Sequence, residues 1–441
     1  NPLVVGLSEA DVRTARAARA MSSRTAFGIP AFRRLWGAGL ISDMGDWLLF
    51  IALPLVVFQI SGSALGASIA FLLELVPAIV LSPLAAMLAS RFDRRWLMAF
   101  VNVGQALALL PLLFVHSAAE LPLAYAVILV HASLSTLFEP AKNSLLPDLV
   151  DVDRLVSANA LIGLNQNLGR LIGAPLGGIL LAMGDLGLIV AVDAVTYIVS
   201  ACLIISLPAR PIALRKPGEP ASMGVLAALR IPRLRGAYAV ILISSIAQGM
   251  FLVLFILFVL GPMGGTDADV GLLRGVQAVG AIGAGIALGL LIRGSSPRAL
   301  TISSLFFFGA ISLITWNLPL LTTQLIPYVV LFAVVGAPGV VMMTGLMSVL
   351  QAETTNTQRG AVFAAVGLIS AIGQIAGILL SGFADAGLSL VSLLEVQGGL
   401  YLAAGVIAFV MLPRHPKAIG GSDASDDSVV ASAEDEGESD V

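Results

Sequence analysis

The sequence of 441 residues is 58% hydrophobic and only 12% charged, whereas soluble domains are about half apolar and a quarter charged. No water-soluble core can bury that proportion of apolar side chains, which excludes an ordinary soluble protein. The single cysteine, Cys202, excludes a disulfide framework. The formal net charge of -3 does not indicate any class of partner.

The apolar residues form long blocks, and about 20 apolar residues are needed to cross the hydrocarbon core of a bilayer. Their length indicates spanning helices rather than the short alternating segments of a transmembrane barrel. The predicted spans are Leu35–Ile60, Ala64–Ala89, Leu97–Val115, Pro122–Leu137, Ala158–Ala182, Leu186–Leu207, Ala237–Val259, Val270–Ile292, Ala299–Trp316, Leu325–Leu350, Ala361–Ala384 and Leu388–Leu412. The fourth is short and is expected to continue through Phe138 and beyond. The sequence therefore predicts an all-α integral membrane protein with twelve transmembrane helices.

Lysine and arginine collect on one side of the predicted membrane. Of the 24, 22 fall in the terminal segments or in the loops after spans 2, 4, 6, 8 and 10, and the loops on the opposite side contain none. Because cationic loops are retained in the cytoplasm, both termini are predicted to be cytoplasmic, in a bacterial inner (cytoplasmic) membrane. Only Arg170 and Arg274 lie inside predicted spans.

A polar segment, Pro208–Gly236, divides the spans into two sets of six. At an offset of 204 residues, Ser144–Gly178 aligns without a gap with Ser348–Gly382, and nine of 35 positions are identical. Parallel six-span repeats are typical of a two-lobed transporter. The predicted organisation is a cytoplasmic N-terminal segment (1–30), an N-terminal six-helix lobe (31–207), a cytoplasmic linker (208–236), a C-terminal six-helix lobe (237–413) and a disordered acidic cytoplasmic tail (414–441).

Four ionisable side chains lie near the predicted midplane of the first lobe: Asp43 and Asp46 in span 1, Glu74 in span 2 and Arg170 in span 5. An ionisable group at the bilayer centre costs at least ~2.5 kcal/mol, so it indicates a functional site. Arg170 keeps its proton and is expected to pair with Asp46 or Glu74. The remaining carboxylates are then left in surroundings that favour proton binding. We interpret these residues as a proton-coupling site and substrate cavity, and a buried ion-pair cluster that only fixes helix packing is the alternative.

Other ionisable residues in the spans are interpreted as structural. Arg274 lies near the outer end of span 8, where snorkelling and a surface pair with Asp267 or Asp269 are expected. Asp193 in span 6 and His131 in span 4 are interpreted as packing residues.

Span 5 carries glycines at four-residue spacing around a proline, a pattern partly repeated in span 11. Such spacing lets a neighbouring helix backbone approach closely, and the proline is expected to bend the helix. The residues of this antiporter-like helix are Gly169, Gly173, Pro175, Gly177 and Gly178.

Several stretches carry a family resemblance: Phe32-Arg33-Arg34-Leu35-Trp36, Ser42–Trp47, Phe138–Val150 and Ser157–Leu161. They resemble the major facilitator superfamily, in the branch that includes the enterobactin exporter and the macrolide efflux proteins. The resemblance covers about Pro30–Pro413. It implies alternating access, in which the lobes rock around a central cavity lined mainly by spans 1, 4, 7 and 10.

Two motifs of that family occur in altered form. Leu88–Arg95 is similar to the loop between spans 2 and 3, with Ser90 where the family usually has an aspartate. The resemblance implies a cytoplasmic gating loop in which Asp93 or Asp148 replaces that aspartate, formed by Arg91, Asp93, Arg94, Arg95 and Asp148. Gly173–Gly178 resembles the antiporter motif of span 5 with its proline one place late, which implies export by antiport.

The sequence thus favours a secondary active transporter, not an enzyme, that exports amphipathic or hydrophobic small molecules by proton-coupled alternating access. A drug, a macrolide or a siderophore is the expected substrate, with multidrug resistance as the expected role. A lysophospholipid flippase is an alternative. A receptor or enzyme on the same bundle is another, although three histidines and one cysteine supply no catalytic cluster. The expected partners are the lipid bilayer, the substrate and protons, without nucleic acid, cofactor or metal, and a monomer is expected.

Overall fold

The computed structural model describes residues 26–151, 154–184, 186–208, 224–290 and 296–414. Its twelve long helices are numbered α1 to α12, so that each carries the number of the predicted span to which it corresponds. They are α1 (Pro30–Ser61), α2 (Ala64–Val80 continued by Ser82–Arg91), α3 (Arg94–Leu109), α4 (Leu121–Leu149), α5 (Leu155–Ala182), α6 (Leu186–Ile205), α7 (Arg235–Leu260), α8 (Asp267–Leu290), α9 (Pro297–Asn317), α10 (Leu325–Ala352), α11 (Asn356–Ser381) and α12 (Leu390–Met411). The predicted acidic tail, most of the N-terminal segment and much of the linker lie outside the described residues.

Ten helices in the described part are long and apolar enough to cross a bilayer, and the two parts of α2 make an eleventh when taken as one span. The remaining long helix, α5, has 28 residues and is about 42 Å long at 1.5 Å per residue. It is less apolar because it carries Asn159, Asn165, Asn167 and Arg170. The all-α membrane fold is confirmed, while the count of twelve spans stays a prediction.

The two parts of α2 meet at an angle of 51°. Pro83 lies at the start of the second part and has no backbone N–H to donate to the preceding turn. The hydroxyl of Ser82 donates to the carbonyl of Ile79 at 3.2 Å. This bond partly replaces the missing backbone bond, so the helix bends without leaving that carbonyl unpaired.

Helix α4 continues through the residues assigned to the loop after span 4 and ends at Leu149. The expected extension past Phe138 is therefore confirmed. Lys142, counted among the loop cations, is instead buried inside α4, 2% exposed, and pairs with Glu139 one turn earlier. Its assignment to a loop was wrong, because the span was judged by hydropathy alone and the helix outlasts its apolar part.

Glycines join equivalent helices in the two halves of the chain. A Cβ atom on Gly173 of α5 would lie 2.1 Å from the carbonyl oxygen of Met44 in α1. A Cβ on Gly377, which is 204 residues later in α11, would lie 2.1 Å from the carbonyl oxygen of Ile246 in α7. Helices α1 to α6 and α7 to α12 are called the N-terminal and C-terminal lobes below.

The lobes meet through α5 against α8 and α2 against α11. Gly178 of α5 lies so close to α8 that a Cβ would be 2.5 Å from the carbonyl oxygen of Asp267. Ser68 of α2 donates to the carbonyl of Ile378 in α11 at 3.2 Å. These contacts lie where α5 and α11 end and where α2 and α8 begin, which is the side predicted to face outward. We call this side the outer side.

Candidate functional site

Two of the predicted carboxylates share a partly open cavity between α1, α2 and α4 of the N-terminal lobe. Asp46 of α1 and Glu74 of α2 line a space of about 400 Å³ together with His131 and Glu139 of α4. Ser135 and Thr136 add hydroxyl groups to its wall. We call this space the carboxylate cavity. It brings together titratable side chains from three helices within the predicted membrane.

A hydrogen-bonded chain leads from Asp46 into the lobe. Tyr197 of α6 donates to Oδ1 of Asp46, and Nε2 of His131 lies 2.7 Å from the Tyr197 hydroxyl. Gln105 of α3 lies 3.3 Å from the same His131 nitrogen. His131, interpreted from the sequence as a packing residue, therefore connects polar groups of the site. Tyr197 was missed because a tyrosine in an apolar span gives no signal by itself.

Asp43 does not line the carboxylate cavity in the described part of the chain. Its side chain lies against α5, where a Cβ on Gly169 would be 2.7 Å from the Cβ of Asp43. Its Oδ2 atom is buried and has no hydrogen-bond partner among the described residues. Asp193 of α6 packs closely on Gly45 of α1 and accepts a hydrogen bond from Thr196 at 3.0 Å. These contacts agree with the packing role predicted for Asp193.

Arg170 lies in a second cavity, which is lined by residues of both lobes. This space of about 140 Å³ is lined by Arg170 of α5, Arg274 of α8 and residues of α7, α9 and α10. We call it the arginine cavity. Its wall is polar and aromatic and includes Gln248, Phe251, Gln277, Ser312, Trp316 and Phe332.

The predicted ion pair of Arg170 with Asp46 or Glu74 is wrong for the described residues. Arg170 instead donates to Oδ1 of Asn167 at 3.2 Å, and its guanidinium lies 5.6 Å from the ring centre of Trp47. Asp46 and Trp47 are consecutive in α1, so a helix turns their side chains about 100° apart. The carboxylate consequently faces the carboxylate cavity, whereas the indole faces the guanidinium group of Arg170.

Arg274 is the functional candidate that the sequence reasoning placed incorrectly. It is 6% exposed and lies close to three aromatic rings, the nearest being Phe251 at 5.0 Å. Asp267, its expected partner, accepts a hydrogen bond from Gln59 of α1 at 2.8 Å. Arg274 therefore points inward, where ring faces stabilise the cation, and it does not snorkel to the surface.

The predicted gating loop ties together helix ends of the N-terminal lobe. Arg94 pairs with Asp148 at the end of α4, and Arg95 donates to the carbonyl of Leu207 at 2.8 Å. Asp93 caps the start of α3 by accepting from the backbone N–H of Arg95 at 2.9 Å. Arg91 ends α2. Asp148 does pair with a loop cation, as the resemblance implied, and the role in gating stays a prediction.

Asp385, between α11 and α12, caps a helix of the opposite lobe. Its carboxylate accepts from the Ser63 hydroxyl at 2.6 Å and from the backbone N–H groups of Ala64 and Leu65 at 3.0 and 2.9 Å. These groups form the start of α2, where a negative charge is favourable. Partial burial raises the pKa of Asp385, but the hydrogen bonds together lower it by a larger amount. The pKa therefore lies below its ordinary value of 3.8.

Asp385→Asn is expected to weaken outer-side closure by about 1 kcal/mol, because an exposed charged hydrogen bond is lost. Because the pKa of Asp385 is lowered in the closed state, its carboxylate stabilises closure at every pH above 3.8. This stabilisation is lost only as the pH falls through the lowered pKa. The contribution of Asp385 to closure is therefore expected to be constant over about pH 5 to 8. Closure is measured as the distance between spin labels at Phe114→Cys after α3 and Leu320→Cys after α9, one in each lobe on the outer side, in a Cys202→Ser background. Equal distances in Asp385→Asn would contradict this role.

The described part of the chain is a helical membrane bundle with two cavities that contain ionisable side chains, a combination typical of membrane transporters. The sequence profile of the Major Facilitator Superfamily matches residues 35–377, and the chain belongs to that family.

The chain is similar to several known members. It is 25% identical to Macrolide efflux protein A of Streptococcus pyogenes over 371 residues, which are 80% of this chain and 89% of the relative. It is 33% identical to the uncharacterized MFS-type transporter YfiS of Bacillus subtilis (strain 168) over 181 residues, which are 41% of this chain and 42% of that relative. Its fold is similar to a bacterial homologue of the iron transporter ferroportin in an inward-facing state. That match has a TM-score of 0.67 and 16% identity, over 87% of this chain and 99% of that one.

Proposed function

We propose that this protein is a secondary active transporter that exports amphipathic or hydrophobic small molecules, such as a drug, a macrolide or a siderophore, by proton-coupled alternating access. The carboxylate cavity carries the proposal. Asp46 and Glu74 line it together, and apolar surroundings favour the neutral form of a carboxyl group. A proton taken up there removes a buried charge, and its release restores one. Each step changes the stability of the surrounding lobe.

The contacts between the lobes support alternating access. Among the described residues, the hydrogen bonds that join the lobes involve Gln59, Ser63, Ser68 and the backbone that follows Ser63. All of these groups lie on the outer side. With the orientation predicted from the lysine and arginine distribution, these bonds support a state that is closed to the outside and less tightly held on the inner side.

The similarity to Macrolide efflux protein A supports export and an amphipathic substrate. We further propose an inner-membrane location with both termini in the cytoplasm and a monomeric transporter. In this scheme Asp46 is the main proton carrier, Glu74 is a second carrier, and Tyr197 holds Asp46 in place.

The test is efflux into inverted membrane vesicles with an imposed pH gradient, using dyes, macrolides and siderophores. The double variant Asp46→Asn with Glu74→Gln is expected to reduce gradient-driven transport at least about tenfold, since neither side chain can then exchange a proton. The matched control is Glu395→Gln, which neutralises an exposed carboxylate of α12 away from the cavity, and it is expected to transport normally.

Transport of the unmodified chain that ignores the pH gradient would overturn proton coupling. Unchanged gradient-driven transport in the double variant would remove these two carboxylates from the mechanism. Exchange of substrate across the membrane without a gradient is expected to survive in the double variant, because alternating access itself does not require the proton.

A further inference from the structure

The arginine cavity contains two cations whose hydrogen-bond acceptors are neutral. Arg274 donates to the amide oxygen of Gln277 at 3.3 Å, and Arg170 donates to that of Asn167 at 3.2 Å. Nε of Arg170 is buried and has no partner among the described residues. A buried guanidinium keeps its charge, so it requires a counter-ion or strong polar contacts.

The protein supplies no carboxylate to this cavity in the part that the structure describes. Its lining contains two arginines and no aspartate or glutamate, and neither arginine forms an ion pair with a described residue. Asp46, one of the two partners predicted for Arg170, is engaged by Tyr197 in the carboxylate cavity. The arginine cavity is therefore a positively charged site within the predicted membrane.

Aromatic rings surround the two cations and provide an apolar surface beside them. The ring of Trp47 lies 5.6 Å from the Arg170 guanidinium and 5.8 Å from that of Arg274. Trp316 and Phe332 form part of the wall, and Ser312 adds a hydroxyl group. The volume of about 140 Å³ is similar to cavities that hold one benzene-sized group.

We propose that the arginine cavity binds the anionic group of an amphipathic organic substrate, with the adjoining apolar part resting on the aromatic wall. Arginine recognises both carboxylate and phosphate through paired hydrogen bonds, so these two groups define the substrate class. The inference rests on the proposed transport function and narrows its substrates to organic anions. Asp46 and Trp47 are adjacent in α1, which connects the proton site directly to the anion site.

The test measures binding to the purified full-length protein by quenching of tryptophan fluorescence, without a membrane gradient. The probes are 1-naphthoate, its neutral amide 1-naphthamide, and lysophosphatidate as a lipid anion. We expect naphthoate to bind at least about tenfold more tightly than the amide, because only the carboxylate pairs with the guanidinium groups. Binding of lysophosphatidate alone would support the anion site and identify a lipid source.

Arg274→Gln and Arg170→Gln are each expected to abolish the preference for the anion, whereas Arg274→Lys keeps the charge and retains part of it. The control is Arg233→Gln, which removes an exposed cation and should leave the preference intact. Equal affinity for acid and amide, or a preference that survives both glutamine variants, would overturn the proposal. Because the binding measurement needs no pH gradient, failure of proton-driven export in vesicles would leave the anion-site proposal standing. Failure of anion binding would likewise leave proton-driven export standing.

Discussion

Replacing Gly178 by leucine is expected to reduce transport at least about tenfold while the protein stays folded, since overpacking a tight contact costs ~1–3 kcal/mol. Even a Cβ atom here would lie 2.5 Å from the carbonyl oxygen of Asp267 and 3.0 Å from the Cα of Gly271 in the opposite lobe. Those atoms belong to a backbone and cannot rotate away. The larger side chain therefore holds the lobes apart on the outer side, and it leaves the core of each lobe unchanged.

The measurement combines efflux in vesicles with the distance between spin labels at Phe114→Cys and Leu320→Cys in a Cys202→Ser background. The two label sites are 69% and 83% exposed, so the labels fit without repacking. The matched control is Gly285→Leu, a position on α8 at which a Cβ meets nothing within 4 Å. An unchanged label distance in Gly178→Leu, or efflux equal to that of the control, would show that this contact does not govern closure.

Replacing Gly173 by alanine is expected to lower stability by about 1–3 kcal/mol and to reduce the amount of folded protein in the membrane. The added methyl group would lie 2.1 Å from the carbonyl oxygen of Met44 and 3.0 Å from its carbonyl carbon. Helices α1 and α5 would have to separate along the face that contains Asp43. Because α1 also carries Asp46 and Trp47, the displacement would disturb both cavities.

The thermal unfolding temperature of the purified variant in detergent provides the measurement. Gly163→Ala is the control in the same helix, because a Cβ at Gly163 has no neighbour within 4 Å. We expect Gly163→Ala to match the unmodified chain or to be slightly more stable, since alanine favours helices. If Gly173→Ala unfolds at the same temperature as this control, the close approach of α1 and α5 contributes little.

Much of the fold was predictable because its causes are local in the sequence. Backbone groups inside a bilayer must be paired within the protein, so an apolar block of about 20 residues, too long for a barrel strand, forms a helix. The repeat was also detectable in the sequence as an offset of 204 residues. Gly173 and Gly377, which this offset aligns, each lie where two helix backbones approach closely. The prediction that Lys142 lies in a loop failed, because hydropathy marks only the apolar part of a helix and α4 continues beyond it.

The candidate site was predictable only as a set of residue types. Asp46 and Glu74 do line one cavity, since ionisable side chains in spans face the interior of the bundle rather than lipid. The partner assigned to Arg170 was wrong, because the choice between Asp46 and Trp47 depends on how α1 is rotated toward α5. Tyr197 carried no signal, since an aromatic residue in an apolar span is ordinary until its hydroxyl is seen to reach a carboxylate.

The sequence by itself determined that this is an α-helical membrane protein, because the bilayer acts on each segment separately and favours long apolar helices. Only the tertiary structure decided that the carboxylates and the arginines occupy separate cavities and that Arg274 joins Arg170. That arrangement depends on helix rotation and on the contact between two lobes. Consecutive side chains point about 100° apart around a helix, and hydropathy does not indicate which of them faces which neighbour.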